Sequence, residues 1–195
     1  MLTAMFDRVV IVPRWAGDPR SDWYPWVAAE LGRSHPGLRV DALALPNPSA
    51  PVIDQCVAAL EAELGLDLAA LASTLLVGHS VGCQALMRYL ADQAPVADGG
   101  PVPTLVCVAG WWTIDEPWPA IRPWLDTPIA LPRLRANTNR VITLISDDDP
   151  FTRDWRANKA TWEQRLDADV RLSVGGRHFN AAEEPAVLEL IRALV

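Results

Sequence analysis

Short runs of apolar residues alternate along the chain with longer stretches in which apolar residues recur at helical spacing. The short runs are rich in Val, Ile and Leu, which is typical of buried strands. They occupy residues 8–12, 38–43, 73–77, 104–109, 141–146 and 170–174. The stretches between them carry apolar residues three and four positions apart and predict helices. These predicted helices span residues 23–32, 52–64, 81–91, 153–166 and 185–195.

This alternation predicts an α/β fold with a doubly wound, mostly parallel sheet of about six strands. The chain has 195 residues, which is enough for one domain whose core needs no metal or disulfide. A stretch rich in Trp and Pro, about residues 110–132, is predicted to form a short cap on that domain. Ligands of parallel sheets bind beyond the carboxyl ends of the strands, so functional residues are expected in the turns that follow the strands.

Composition narrows the range of partners. The chain carries 17 basic and 24 acidic residues, a net charge of −7, so most of its surface should repel the phosphates of nucleic acid. The start of the chain lacks the basic segment of a secretory signal, and no apolar run approaches the ~20 residues of a membrane span. We therefore expect a cytoplasmic protein, a monomer or weak homodimer, that binds a small molecule rather than nucleic acid or a membrane.

Cysteine usage bears on cofactors. Cys56, Cys83 and Cys107 lie in three separate apolar runs. This pattern fits buried reduced thiols better than a disulfide framework or a zinc site. We expect neither a metal nor an organic cofactor.

The turn after the third predicted strand reads Gly78-His79-Ser80-Val81-Gly82. A nucleophile on a sharp turn between a strand and a helix requires small residues two positions before and two after it, because backbones approach closely there. Gly78 and Gly82 meet that requirement, and the flanking pattern is that of a strand followed by a helix. Ser80 is therefore predicted to be a nucleophile.

A serine hydroxyl needs a base to take its proton, and the chain has three histidines. His35 precedes the second predicted strand, at the opposite end of the sheet, and His79 is adjacent to Ser80 and should project elsewhere. His178 follows the last predicted strand, at the same edge of the sheet as Ser80. His178 is therefore the predicted general base.

A carboxylate is needed to orient that base. Asp147, Asp148 and Asp149 follow the fifth predicted strand, and Asp115 follows the fourth. Pro150 holds the turn after Asp149, which favours this residue, while Asp148 and the more remote Asp115 stay open as alternatives. The order serine, aspartate, histidine along the chain is the order found in α/β-hydrolases.

Several short blocks extend this likeness over nearly the whole length. They are Val-Ile-Val-Pro at the first strand, Trp-Tyr-x-Trp-Val at residues 23–27, Gly-His-Ser-x-Gly at 78–82, Met-Arg-Tyr at 87–89, Asp-Asp-Pro-Phe at 148–151 and Gly-x-His-Phe at 176–179. In combination they resemble the small serine hydrolases of the retinoblastoma-binding protein nine type, within the α/β-hydrolase superfamily. The resemblance implies a minimal sheet of strand order 2-1-3-4-5-6. It also implies Asp149 as the acid, since the family's acid precedes a proline.

The resemblance further implies two backbone donors for an oxyanion. One is the amide of Val81, after the nucleophile, and the other, by alignment, is the amide of Trp15 in the loop after the first strand. Where the family usually carries Gly, this chain has Arg14. We expect Arg14 or Arg177 either to pair with an anionic group of the substrate or to balance the charge of residues 147–149.

Nine tryptophans beside two Tyr and three Phe are unusual, and Trp often walls a binding cavity. Trp15, Trp111 and Trp112 lie at the ends of predicted strands, on the side where Ser80 is expected. Trp111 and Trp112 are therefore predicted to belong to the substrate pocket, and the Trp-rich cap to shape the choice of substrate.

These residues together predict a serine hydrolase that cleaves a small ester or related acyl compound through Ser80, Asp149 and His178, with an acyl-enzyme intermediate. Two other functions stay open. One is an aminopeptidase-like amide hydrolase, and the other is a non-catalytic binding or regulatory protein on a hydrolase scaffold.

Overall fold

Six parallel strands form one sheet in the computed structural model, which describes residues 6–195. They are β1 (Arg8–Val12), β2 (Arg39–Ala42), β3 (Thr74–His79), β4 (Thr104–Val108), β5 (Arg140–Ser146) and β6 (Asp169–Ser173). Their order across the sheet is β2-β1-β3-β4-β5-β6, so the predicted α/β class and strand order are confirmed. The expectation of no secretory leader rests partly on residues 1–5, which lie outside the described residues.

The central strands are buried because helices cover both faces of the sheet. Every residue of β3 and β4 is buried, whereas β2 and β6, at the two edges, are partly exposed. Strands buried on both faces carry unbroken apolar runs rather than alternating ones. Because all strands are parallel, the loops that follow them meet at one edge of the sheet.

Seven α-helices flank the sheet in the part of the chain that the structure describes. They are α1 (Tyr24–Ser34), α2 (Ile53–Leu64), α3 (Val81–Asp92), α4 (Arg122–Asp126), α5 (Leu131–Ala136), α6 (Trp155–Leu166) and α7 (Pro185–Arg192). Helices α1 and α7 pack together on one face. Helices α2, α3, α5 and α6 pack on the other.

Helix α1 runs two residues beyond its predicted end at Gly32. Gly32 lies inside the helix, and its surroundings are open. The turn that ends the helix comes later, at Pro36 and at Gly37, whose φ is +108°. Proline disfavours helical backbone in the residue before it, and glycine tolerates the positive φ that follows.

The connection between β4 and β5 contains two short helices, α4 and α5, that the pattern of apolar residues does not predict. Each has a proline in its first turn, where a missing N–H is tolerated. Neither is long enough to show a helical repeat in the sequence.

Cys56, Cys83 and Cys107 are buried free thiols, as predicted. The side chains of Cys83 and Cys107 contact one another, and burial raises the pKa of the Cys107 thiol. Within residues 6–195, no helix combines the length and apolar character that a membrane crossing requires. Among the same residues, His, Cys, Asp and Glu side chains do not gather in groups of three that could hold a metal ion.

Candidate active site

Ser80 stands on the sharp turn between β3 and α3. Its backbone has φ 53° and ψ −115°, a conformation that L-residues rarely adopt and that occurs where surrounding contacts enforce it. The amide of Ser80 donates to the carbonyl of Val108 over 2.9 Å, and its carbonyl accepts from the amide of Cys83 over 3.0 Å. These bonds hold the hydroxyl at the carboxyl edge of the sheet.

Two glycines permit this turn. A Cβ atom at Gly78 would lie 2.6 Å from the backbone of Cys83, and one at Gly82 would overlap the carbonyl oxygen of Val12 and lie 2.7 Å from that of Pro13. The loop after β1 therefore lies directly against the first turn of α3. This contact brings residues 13–15 beside Ser80.

His178 lies in the loop between β6 and α7, and its imidazole contacts Asp149. The Nδ1 atom of His178 is 2.8 Å from Oδ2 of Asp149, and both side chains are buried. The other carboxylate oxygen, Oδ1, accepts the amide of Phe151 over 2.9 Å. With Nδ1–H donating to the carboxylate, the Nε2 atom of His178 carries the lone pair.

The other carboxylates considered from the sequence have different partners. Asp147 accepts the amide of Gly175 over 2.8 Å. Asp148 accepts the amide of Arg177 over 2.7 Å and the hydroxyl of Ser146 over 2.6 Å. These bonds, the Ser146 bond foremost, lower the pKa of the Asp148 carboxyl. Asp147 and Asp148 thus fix the backbone of the histidine loop, and neither contacts the ring of His178.

Asp115 likewise serves as a backbone acceptor rather than a partner of histidine. Its carboxylate accepts the amide of Arg153 over 2.9 Å, in the loop that carries Phe151. His35 lies at the surface beside Ser34, at the far end of the sheet. His79 is fully buried and points toward α1, with Nδ1 2.7 Å from the hydroxyl of Tyr24. Burial lowers the pKa of His79 well below its usual range, so its ring is neutral.

Ser80 and His178 open onto one cavity of about 150 Å³. Its lining consists of Arg14, Trp15, Ser80, Val81, Trp111, Ile114, Trp118, Ile121, Phe151, His178 and Asn180. The indole Nε1 of Trp111 donates to the hydroxyl of Ser80 over 3.3 Å. Within residues 6–195, the Nε2 of His178 makes no hydrogen bond. The hydroxyl of Ser80 therefore rests against Trp111.

The two candidate oxyanion donors also adjoin this cavity. Val81 is the first residue of α3, and an amide there has no acceptor within its helix. The amide of Trp15 makes no hydrogen bond to any residue from 6 to 195. A helix amino terminus also carries partial positive charge, which favours an anion beside Val81.

Arg14 lines the cavity but is paired with Asp22. Its Nε and Nη2 atoms contact the two carboxylate oxygens of Asp22 over 2.7 and 3.0 Å, and Nη1 donates to the carbonyl of Trp15 over 2.8 Å. Asp22, rather than a carboxylate of residues 147–149, is therefore the ion-pair partner of Arg14, which corrects the expectation that Arg14 balances the charge of those residues. Arg177 is exposed, and its amide, rather than its guanidinium, is what binds Asp148.

Trp111 and Trp112 point to opposite sides of the chain. Trp111, which follows β4, lines the cavity. Trp112 instead packs on Trp162, with ring centroids 5.1 Å apart, and the guanidinium of Arg165 lies 4.7 Å from its ring. The prediction that Trp112 belongs to the pocket is corrected, because its contacts are with α6.

Five lining residues were not singled out from the sequence as pocket residues: Ile114, Trp118, Ile121, Phe151 and Asn180. Three of them belong to the Trp-rich stretch whose role as a cap was predicted as a whole. Phe151 follows the Asp-Asp-Pro run, and its ring meets that of His178 edge-on, with centroids 4.7 Å apart. Asn180 comes two residues after His178, and only its position beside the histidine could have indicated it.

Comparison with known proteins shows the family of this chain. The model of the serine hydrolase family matches residues 9–195. The chain is 26% identical to the serine hydrolase RBBP9 of Rattus norvegicus over 191 residues, 96% of this chain and 95% of that protein.

Solved structures share the fold. The ydeN gene product of Bacillus subtilis superposes with a TM-score of 0.78 at 21% identity, over 96% of this chain and 98% of that one. A carboxylesterase structure from Nitrososphaera gargenis superposes with a TM-score of 0.68 at 16% identity, over 97% and 89%. Since the family model covers almost the whole chain, this protein belongs to the serine hydrolase family, as an α/β-hydrolase of the RBBP9 type.

Proposed function

We propose that this serine hydrolase cleaves small esters by acyl transfer, with Ser80 as nucleophile, His178 as general base and Asp149 as the group that orients it. One observation carries the proposal. Ser80 and His178 line the same cavity, and Asp149 contacts the nitrogen of His178 that faces away from it. This is the arrangement of roles that serine acyl transfer requires.

In the proposed reaction, the hydroxyl of Ser80 turns from Trp111 toward Nε2 of His178. His178 takes the proton as the serine oxygen attacks the carbonyl carbon, and the amides of Val81 and Trp15 donate to the oxyanion that forms. The proton then passes from His178 to the leaving group, whose bond to the acyl carbon breaks. Water attacks the acyl-enzyme by the same route, and the carboxylic acid leaves.

The cavity supports a small, uncharged acyl group as substrate. A cavity of about 150 Å³ holds a molecule the size of benzene, or about six carbon atoms. Its walls are mainly Trp, Ile and Phe side chains. Arg14 is the cation in the lining, and because Asp22 offsets its charge we propose that the acyl group carries no anion.

A fluorophosphonate probe tests the nucleophile, because such probes react with activated serines. The native protein should be labelled, and Ser80→Ala should abolish both labelling and ester turnover. Ser34→Ala is a matched control, since Ser34 is exposed at the end of α1, at the opposite end of the sheet from Ser80. Labelling that persists in Ser80→Ala, or that is absent from the native protein, would contradict the proposal.

The same preparations distinguish ester from amide cleavage. Aryl esters with acyl chains of increasing length are compared with aminoacyl anilides under identical conditions. Turnover of the short-chain esters supports the proposed substrate class. Exclusive turnover of the anilides would replace it with an amide hydrolase.

A further inference from the structure

A chain of buried hydrogen bonds joins the loop after β1 to the histidine loop. The amide of Arg14 donates to the hydroxyl of Tyr24 over 3.1 Å, and that hydroxyl lies 2.7 Å from Nδ1 of His79. On the other side of the ring, Nε2 of His79 lies 2.8 Å from the carbonyl oxygen of His178. Tyr24 and His79 are both fully buried. Tyr24 and His79 do not line the cavity, whereas Arg14 and His178, at the two ends of the chain, do.

Each bond in this chain has a determined direction. A carbonyl oxygen only accepts, so Nε2 of His79 must carry the proton that is donated to His178. Because the ring is neutral, Nδ1 is then an acceptor, and the hydroxyl of Tyr24 donates to it. The hydroxyl oxygen in turn accepts from the amide of Arg14. Every polar atom of the two side chains is satisfied in this one arrangement.

The two ends of the chain are backbone groups of the proposed catalytic machinery. Arg14 immediately precedes Trp15, whose amide is a proposed oxyanion donor, and the carbonyl at the other end belongs to His178 itself. Burial raises the pKa of Tyr24 and lowers that of His79, so neither side chain ionises at neutral pH. The link is thus permanent rather than switchable.

Aromatic packing restricts the movement of the hydrogen-bonded side chains of Tyr24 and His79. The ring of His79 lies 5.7 Å from that of Trp23, 5.8 Å from that of Tyr24 and 5.6 Å from that of His178, measured between centroids. Trp23 and Tyr24 also pack edge to face, with centroids 4.7 Å apart. Displacement of either polar side chain would therefore displace one of the two loops.

We propose that Tyr24 and His79 are positioning residues, which set the separation between the oxyanion-binding amide of Trp15 and the imidazole of His178. This inference rests on the proposed function, since it assigns a role relative to those two groups. Neither residue touches the substrate. Their effect is expected on the catalytic step, because a displacement of about 1 Å costs on the order of 100-fold in rate when groups must be aligned.

The protein has a matched pair of tyrosines for the test, of which only Tyr24 belongs to the chain of hydrogen bonds. Tyr24 and Tyr89 are both fully buried, and each hydroxyl is hydrogen-bonded, but that of Tyr89 donates to the carbonyl of Gly65, away from the cavity. Tyr24→Phe should lower kcat for a short-chain aryl ester by about 10- to 100-fold with KM unchanged, and should slow fluorophosphonate labelling equally. Tyr89→Phe removes a comparable hydrogen bond and should retain the native kcat.

A second pair of variants tests the other half of the chain. Gln at position 79 keeps an N–H near the position of Nε2, whereas Leu keeps no donor. His79→Gln should therefore retain more of the native kcat than His79→Leu, with folding of both followed by thermal melting. If Tyr24→Phe does not fold, the comparison of His79→Gln with His79→Leu alone tests the proposal. Retention by Gln supports the proposal, and equal losses overturn it.

The outcomes separate this inference from the function on which it rests. If the native protein is labelled at Ser80 but Tyr24→Phe is no slower than Tyr89→Phe, the positioning role is wrong and the proposed function stands. If the native protein is neither labelled nor active on esters, both are wrong. If Tyr24→Phe folds and its kcat per folded molecule equals that of the native protein, the positioning role is also wrong.

Discussion

The three adjacent aspartates after β5, Asp147, Asp148 and Asp149, have three different partners. Asp147 and Asp148 accept backbone amides of the histidine loop, at Gly175 and Arg177, while Asp149 contacts the ring of His178. Their roles follow from what each carboxylate meets after the turn at the end of β5. Two of them hold the backbone of the loop, and the third orients the imidazole that the loop carries.

This division predicts different effects of the same substitution at neighbouring positions. Asp149→Asn should lower kcat by up to about 10⁴-fold, because an amide can donate to Nδ1 and so favour the wrong tautomer of His178. Asp148→Asn keeps a side-chain oxygen that can accept the amide of Arg177, and should retain most of the native kcat. Steady-state turnover of an aryl ester by both variants measures the difference. Equal losses would show that Asp149 has no special role.

The element that connects β4 to β5 is held in place from α3. Gln84 donates through its side-chain nitrogen to the carbonyl of Trp111, and Arg88 donates to the carbonyls of Trp124 and Thr127 over 2.9 and 2.7 Å. Arg88 is 5% exposed, and burial lowers the pKa of its guanidinium to about 10. The helix that follows Ser80 therefore also anchors the connection whose residues line the cavity.

Within this element, Trp118 lines the cavity beside Trp15. Its ring meets that of Trp15 edge to face, with centroids 5.3 Å apart. Trp15 also lines a second groove of about 420 Å³, together with Pro51, Pro123 and Trp124. Trp15 thus lies between the cavity and a groove with room for a longer chain, and Trp118 packs against Trp15 from the side of the cavity.

Trp118→Ala should shift the preference of the enzyme toward longer acyl chains. We expect kcat/KM for an eight-carbon ester, relative to acetyl ester, to rise at least about tenfold, since even one further methylene buried in an apolar pocket is worth ~1–3 kcal/mol. The ratio is independent of how much protein is folded, so Trp112→Ala is a usable control despite its packing role. Trp112→Ala should leave the ratio unchanged. A ratio altered equally in both variants would contradict the assignment.

Features set by local sequence pattern could be predicted, whereas features set by contacts between residues far apart in the sequence could not. The strands, the sharp turn at Ser80 and the place of His178 after the last strand depend on local pattern and chain order. The structure places them where the sequence predicts them. Helices α4 and α5 are too short for a repeat to be seen. The opposite orientations of Trp111 and Trp112, and the pairing of Arg14 with Asp22, depend on contacts that no spacing in the sequence encodes.

At the scale of the whole molecule, the candidate site is assembled from the loops that follow five of the six strands. The loops after β1, β3, β4, β5 and β6 all contribute lining residues to one cavity. These loops are far apart in the sequence, so their relative positions depend on buried contacts such as the hydrogen bonds of His79 to Tyr24 and His178. The stability of the fold and the geometry of the site therefore share the same polar groups.

His79 gives the molecule a specific dependence of stability on pH. Its pKa is lowered by burial, so below about pH 6.5 the unfolded chain binds a proton at this residue that the folded protein does not. The stabilisation is present above that pH and is lost as the pH falls. Below about pH 6.5, protonation of His79 in the unfolded chain should lower the free energy of unfolding by about 1.4 kcal/mol for each pH unit.

Urea unfolding of the native protein and of His79→Gln, at several values between pH 7 and pH 5, measures this contribution. Every other ionisable group is present in both proteins, so its contribution cancels in the difference. The native protein should lose stability more steeply than the variant. Parallel pH dependences would contradict the assignment of a neutral buried ring.

The close approach of Gly82 to the loop after β1 bears on how this fold diverges over evolutionary time. A methyl group at position 82 would overlap the carbonyl oxygen of Val12 whatever chemistry Ser80 performs. A lineage that lost hydrolysis would therefore be selected to keep both glycines of the turn long after the serine between them had changed. A descendant with Ala between those glycines is expected to be a folded protein that no longer hydrolyses esters, so the glycines report the turn and Ser80 alone reports the chemistry.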